Sequence, residues 1–429
     1  VVGSVIMASD GRSSSDTERG NLGSINELFD EPSRPSRRKQ GLISSTTIGL
    51  ANRGRVLQVL FDLGPTSRAE LARHVDVNRA TITGIIQPLI DEGILVENEP
   101  LPSRESGGKP AKPMWFAQDA SPICAMLLMH DSVHSCLVSL DGTIKAEVKI
   151  PFPRDPATVE PLVEAIFRCV GETLSLAPRA PLGIGVAAGG MIDTDSGSIV
   201  AVNLAPLLAG FPLGAELARR FGLPTRVDHH PRALLVGDRW FGIGRGKRNF
   251  AVIYTGEVLG GAIFLDGHLY RGPAGAGGEL GHTFVQVDGM TCRCGRRGCW
   301  ETIATLGWLR REAQQAGLPS ADEMDSRRLV ALVGAGVSAA AALFDRYARN
   351  VAVGIANLQQ TMAPNFIVLH GDVVGGGTRL LDAIAAHVRE LVPWRPGGDI
   401  ELVMGDLEDR AALRGAAGLV LSELLHFTL

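Results

Sequence analysis

Between residues 50 and 93 apolar residues recur at helical spacing, and beyond that they alternate or run together as strands do. Val56, Leu57, Leu60 and Phe61 share one face of a first helix. Ser67 and Glu70 stand at capping-box spacing and open a second short helix, Ser67 to His74. After a turn at Val75-Asp76-Val77, Asn78 caps a third helix whose Ile82, Ile85, Ile86, Leu89 and Ile90 form an amphipathic stripe. Gly93 stops this helix. Pro88 is expected to kink or loosen its last turn, because proline supplies no N–H. Ile94-Leu95-Val96 and Met114-Trp115-Phe116 then read as strand pieces on either side of SRESGGKPAK.

From about residue 118 the chain turns α/β. CLVSL, Asp141-Gly142 and TIKAEVKI have the form of a hairpin, followed by a helical stretch near 157–176 and a buried strand, LGIGVAA, at 182–188. AIFL, Asp266-Gly267 and HLY repeat the hairpin, and a second buried strand, Phe366 to Leu369, follows a long helical segment. Two hairpin-led α/β halves point to a duplicated fold with a cleft between its lobes.

At 429 residues, two or three domains are expected. With 45% hydrophobic and 21% charged residues the bulk reads as globular, and a net charge of −4 excludes a global basic field, so any DNA-reading surface is local. No apolar run reaches the roughly 18 residues of a membrane span. The opening VVGSVIMAS lacks a basic leader and does not read as a secretory signal. No membrane partner and a cytoplasmic location are expected. Residues 1–45, rich in Ser, Gly, Arg and Asp, read as a disordered arm whose Arg37-Arg38-Lys39 run is a solvated tail or brushes DNA phosphates.

Two stretches carry chemistry. Within GAGGELGHTFVQVDGMTCRCGRRGCWE, Cys292, Cys294 and Cys299 follow His282. Three thiolates and one imidazole are the donor set of a closed structural zinc site; the alternative is a disulfide or three unrelated buried cysteines. The other stretch is the helical region before residue 93. Short helix, tight turn and longer helix form a helix-turn-helix arrangement. Asn78, Arg79, Thr81, Thr83 and Gln87 face away from its apolar stripe, towards double-stranded DNA. The spacer holding Arg104, Lys109 and Lys112 reads as a basic wing. The competing reading is a three-helix packing module without DNA contact.

GGELGH followed by CRCGRRGCWE resembles the signature of the ROK family, which groups bacterial sugar kinases and transcriptional repressors. The resemblance implies zinc on His282, Cys292, Cys294 and Cys299, and sugar contacts at Glu279, His282 and Glu301. It also matches Asn203 of AVNLAP to a sugar-contact asparagine, and Gly107-Gly108-Lys109-Pro110 to the wing motif of ROK repressors. It implies an N-terminal winged helix-turn-helix over 46–117 and a two-lobe actin-like, sugar-kinase (ribonuclease H-like) fold. The first lobe would span 118–228 with a C-terminal helix at 411–429, and the second, with the zinc site, 229–410. Where ROK kinases carry a glycine phosphate loop, this chain reads Leu128-Met129-His130-Asp131-Ser132, and their Glu-Asn-Asp-Ala-Asn becomes Asp228-His229-His230-Pro231-Arg232. His230 thus stands at the catalytic Asp and His229 at a sugar-binding Asn, so no catalytic residue is assigned. The expectation is a repressor, a homodimer or homotetramer on an inverted-repeat operator, sensing a sugar or related metabolite in a lapsed kinase cleft. The alternatives are an active sugar kinase and an effector-independent DNA-binding protein.

Overall fold

The computed structural model describes residues 45–99, 112–153, 156–202, 205–392, 399–406 and 410–424. The arm at 1–44, the wing tip with Arg104 and Lys109, and Asn203 lie outside the described residues. Among the described residues no helix is long and apolar enough to cross a membrane.

The chain opens with helices α1 (Ser45–Leu63), α2 (Arg68–Val75) and α3 (Arg79–Asp91). Between and after them run strands β1 (Thr66–Ser67), β2 (Leu95–Glu97) and β3 (Pro113–Phe116), in the order β1-β3-β2. Val56, Leu57, Leu60 and Phe61 of α1 are buried, as their spacing requires. Both halves of the Ser67/Glu70 box form: the Glu70 N–H donates to Ser67 Oγ (3.4 Å) and the Ser67 N–H to Glu70 Oε2 (3.2 Å). Asn78 Oδ1 accepts from the Thr81 N–H at 2.8 Å, a cap of about 1 kcal/mol. Ile82, Ile86 and Leu89 are fully buried and Ile85 and Ile90 half-buried at the stripe's edges. Gly93, at φ +71°, ends the helix while the Ile94 N–H reaches back to the Leu89 carbonyl. Helix α3 runs through Pro88 for three further residues. Pro88 is exposed, and the residue four before it is the exposed Gly84, so the carbonyl left without an N–H faces water.

Two five-stranded sheets follow. The first contains β4 (Ile123–Leu128), β5 (Ser132–Val138), β6 (Ile144–Pro151), β7 (Ile184–Ala188) and β10 (Thr225–His229). Strands β8 (Met191–Asp193) and β9 (Ser198–Ala201) form a separate ribbon. The second sheet contains β11 (Phe250–Thr255), β12 (Leu259–Leu265), β13 (His268–Leu269), β14 (Phe366–Gly371) and β15 (Glu401–Met404). Their orders, β6-β5-β4-β7-β10 and β13-β12-β11-β14-β15, are the same topology twice. In each, three consecutive strands pair antiparallel and two more are added in parallel. The Asp141-Gly142 and Asp266-Gly267 turns occupy equivalent corners, with Gly142 at φ +86° and Gly267 at φ +87°. The duplication read from the hairpins is therefore present.

Helices α4 (Glu160–Ser175) and α5 (Leu213–Phe221) cover the first sheet, and α6 (His230–Phe241) leaves the end of β10 for the second. The C-terminal helix, Arg410–Leu424, returns to the first sheet and crosses α6. At that crossing the backbones touch: a Cβ on Gly237 would lie 2.0 Å from the Ala411 carbonyl oxygen, and one on Gly415 1.7 Å from that of Ala233. The second sheet packs on the long helix Ser338–Met362. Trp300 lies against Gly354 of that helix and donates its Nε1–H to the Asn350 carbonyl at 2.8 Å, anchoring the cysteine loop in the core.

The N-terminal module meets this body through α1. Phe61 stacks on Phe116 (centroids 4.3 Å apart) and approaches Trp240 and Phe241 of α6 at 5.2 and 5.7 Å. Beside it, Arg239 of α6 forks onto Asp62, Nη1 to Oδ1 at 2.5 Å and Nη2 to Oδ2 at 3.1 Å.

Candidate ligand cleft and cysteine-histidine cluster

The ends of both sheets and the start of α6 enclose a cavity of about 560 Å³. His229, His230, Glu279, His282 and Glu301 all line it, so five of the six predicted contact residues are brought together. His229 ends β10 and His230 begins α6, but neither side chain caps the helix. The ring of His230 meets Tyr254 of β11 edge-on, with centroids 4.7 Å apart. His229 Nδ1 is shielded from water and finds no hydrogen-bond partner among the described residues. Burial, reinforced by the charges of Arg232, His230 and His282, holds the His229 imidazole well below its ordinary pKa. It is therefore neutral at pH 7. Burial also pushes the Glu279 carboxyl up.

Beneath these groups lies a charge network that sequence reasoning missed. Asp228, on β10, accepts from Arg232 Nε at 2.5 Å and from Arg271 Nε at 3.0 Å. Arg232 Nη1 also donates to the carbonyls of Gly275 (3.1 Å) and Gly277 (3.0 Å), just before Glu279. Both Asp228 and Arg232 are buried. The signal was an acid and an arginine four residues apart across a helix start, a spacing that also suits a solvated pair.

The donor atoms of His282, Cys292, Cys294 and Cys299 all lie within 4.8 Å of one another, a cluster able to hold a metal ion. Cys292 Sγ is 3.6 Å from His282 Nδ1, and Cys294 Sγ is 3.7 Å from Cys299 Sγ. Gly298, at φ +75°, is obligatory here, since a Cβ would fall 1.6 Å from the Gln286 carbonyl oxygen. Glu301 Oε1 accepts from Cys292 Sγ at 2.8 Å and stands 3.6 Å from His282 Nδ1, joining the cluster to the cavity. Cys294 is the exposed thiol. Partial desolvation would raise its pKa, but hydrogen bonds from the Arg296 backbone and guanidinium and from the neighbouring cysteines outweigh it, lowering it to about 6.

A sequence model of the ROK family matches residues 130–423, which include both sheets from β5 onwards, most of the cavity lining and the cluster. The chain belongs to the ROK family. It is 26% identical over 401 residues to the xylose repressor of Caldicellulosiruptor bescii, covering 89% of this chain and 98% of that protein. It is 29% identical over 300 residues to the glucokinase of Thermotoga maritima, covering 66% of this chain and 92% of that enzyme. The crystal structure of a ROK-family transcriptional regulator, a homologue of the E. coli MLC protein, superposes with a TM-score of 0.73 at 26% identity over 88% of this chain and 99% of that one.

In this ROK chain the two loops that face the interlobe space carry side chains. Between β4 and β5, Met129 and His130 line the cavity, and the turn closes on itself through the Met129 N–H and Ser132 carbonyl at 2.9 Å. Between β11 and β12, Glu257 Oε1 is bound by Arg310 Nη1 at 2.7 Å. On the N-terminal module, Arg79, Thr81 and Thr83 are exposed on the first half of α3, and Lys112 is exposed before β3. Asn78 Oδ1 is engaged by the Thr81 N–H and hydroxyl. Gln87 is half-buried, its amide oxygen accepting from Arg68 (3.0 Å) and its nitrogen donating to Asp91 (2.8 Å).

Proposed function

We propose that this chain is a transcriptional repressor that reads DNA through its N-terminal module and responds to a sugar or related small polar metabolite in the cleft. The observation that carries the reading is coverage. The repressor relative extends over 89% of this chain, whereas the glucokinase relative covers 66%. The order of three helices and three strands supports reading the module as a winged helix-turn-helix, in which α3 would be the helix for the major groove and residues between β2 and β3 would supply the wing. Arg79, Thr81 and Thr83 would face the bases, with Lys112 on phosphates. One module covers one half-site, so a symmetric dimer on an inverted repeat follows.

The cleft reads as a sensor and not a kinase. Phosphoryl transfer needs backbone amides and cations around the phosphates. The first loop presents Met129 and His130 instead, the Glu257–Arg310 pair holds an acid at the second, and His230 stands at the start of α6. A sugar would find hydroxyl partners in neutral His229, in His230, and in Glu279 and Glu301. The cluster fits zinc: tetrahedral bonds of about 2.3 Å to sulfur and 2.0–2.1 Å to nitrogen put sulfurs about 3.8 Å apart and a nitrogen about 3.6 Å from a sulfur. The 3.7 and 3.6 Å separations match. Zinc would cross-link the loop and fix His282 and Glu301 at the cavity wall.

The test pairs two assays. Full-length protein should select a two-fold symmetric duplex from a random pool, while a variant lacking residues 45–117 selects none. ATP consumption with a panel of hexoses and pentoses should stay at background. DNA selection by the truncated protein, or robust ATP turnover, would refute the reading.

A further inference from the structure

The helix that begins in the cleft ends against the N-terminal module. Helix α6 is 12 residues long, about 18 Å. Its first residue, His230, packs on Tyr254 at the cavity, and its tenth, Arg239, forks onto Asp62 of α1. The Arg239 side chain is 7% exposed, and its guanidinium also lies over the rings of Trp240 and Phe264, at 5.2 and 5.7 Å. A guanidinium so far from water cannot let go of its carboxylate without leaving a buried charge uncompensated. Phe61, the neighbour of Asp62, is fixed against Trp240 and Phe241 at the same helix end, and Gly142 of the first sheet backs Phe241 closely. The position of α1 is therefore set by the far end of a rigid rod whose near end forms the cavity wall. Tilting an 18 Å rod by about 6° moves its end by about 2 Å, the scale of shift on which packed interfaces switch. A solvated contact would absorb such a shift; a fork anchored on a buried guanidinium, with aromatic packing beside it, passes it on.

We propose that α6 carries the state of the cleft to the N-terminal module, and that the Asp62–Arg239 pair is the joint through which it does so. The inference rests on the reading that the cleft holds an effector and the module reads DNA. Its first test needs neither ligand nor operator. Hydrogen–deuterium exchange in α1 is measured in the full chain for wild type, His230→Ala, Asp62→Asn and the double variant. Removing the ring that packs on Tyr254 should change α1 exchange by about 5-fold or more, the lower end of ordinary coupling. In the Asp62→Asn background the change should fall below about 2-fold on the same scale. Equal responses in both backgrounds, or none in either, overturn the proposal. Arg239→Lys, which keeps the charge and loses the fork, is scored in the same way, and only variants with the wild-type circular dichroism and melt are compared.

The second arm uses D-xylose and D-glucose as probes and the duplex selected by the protein itself. If a sugar shifts wild-type DNA affinity, Asp62→Asn should bind that sugar equally well by calorimetry and show no shift. A shift of undiminished size in Asp62→Asn overturns the joint. A positive exchange result with no sugar effect in wild type leaves the joint standing and removes the effector reading instead.

Discussion

Arg232 Nε donates to Asp228 Oδ1 across 2.5 Å with both side chains buried, and the same guanidinium holds the Gly275 and Gly277 carbonyls of the loop leading to Glu279. One arginine therefore ties the end of β10, the start of α6 and the loop that supplies Glu279 to the cavity. Arg232→Met should cost roughly 3 kcal/mol in urea unfolding, because it leaves a buried acid with Arg271 alone. Changing Asp228→Leu together with Arg232→Met should cost less than Arg232→Met alone, since no buried charge is stranded. A double variant weaker than the single one would show that the pair's own attraction dominates.

Metal analysis of freshly purified protein should give about one zinc per chain, and Cys294→Ser should abolish it. In chelator-stripped protein, iodoacetamide should label Cys294 before Cys292 and Cys299, with the rate rising through a pH of about 6. Restoring zinc should protect all three. Equal labelling of the three thiols would contradict the environment described for Cys294.

The depressed pKa of His229 fixes the sign of a pH effect. Between its folded pKa and the ordinary value near 6.5, the unfolded chain binds more protons than the folded one, so stability rises with pH. As pH falls through about 6.5, wild type should lose stability that His229→Gln retains, and above about pH 7.5 the two profiles should run parallel. Coincident slopes from pH 5 to 7 would mean that His229 is hydrated in solution.

On the module, Arg79→Ala should weaken binding to the selected duplex by about 1–3 kcal/mol and relax its sequence preference. Lys112→Ala should lower affinity across sequences and reduce the salt slope by about 1. Gln87→Ala is expected to act differently, lowering the module's stability by about 1 kcal/mol through the lost bond to Arg68 while leaving the preference intact. Titrations at several salt concentrations separate the three.

Much of this was legible because the signals are local. Capping at Ser67 and Asn78, the stripe on α3 and the Asp-Gly corners each lie within a few residues, and each formed as its spacing demands. The cysteines also needed only a tight loop to converge. The Gln87–Arg68 bond was not legible, because periodicity gives the face of a residue but not its neighbour, here 19 residues earlier. Asp228–Arg232 and Asp62–Arg239 were invisible because a buried ion pair has the same composition as a solvated one. Only the packing of distant segments removes the water.

The bare crossing of Gly237 and Gly415 has a mechanical consequence. Helices that meet through side chains can absorb an added methyl by turning a rotamer. Here peptide planes meet, and neither carbonyl can step aside. One methyl group at either glycine would act as a wedge, prising α6 off the C-terminal helix and with it the second sheet off the first.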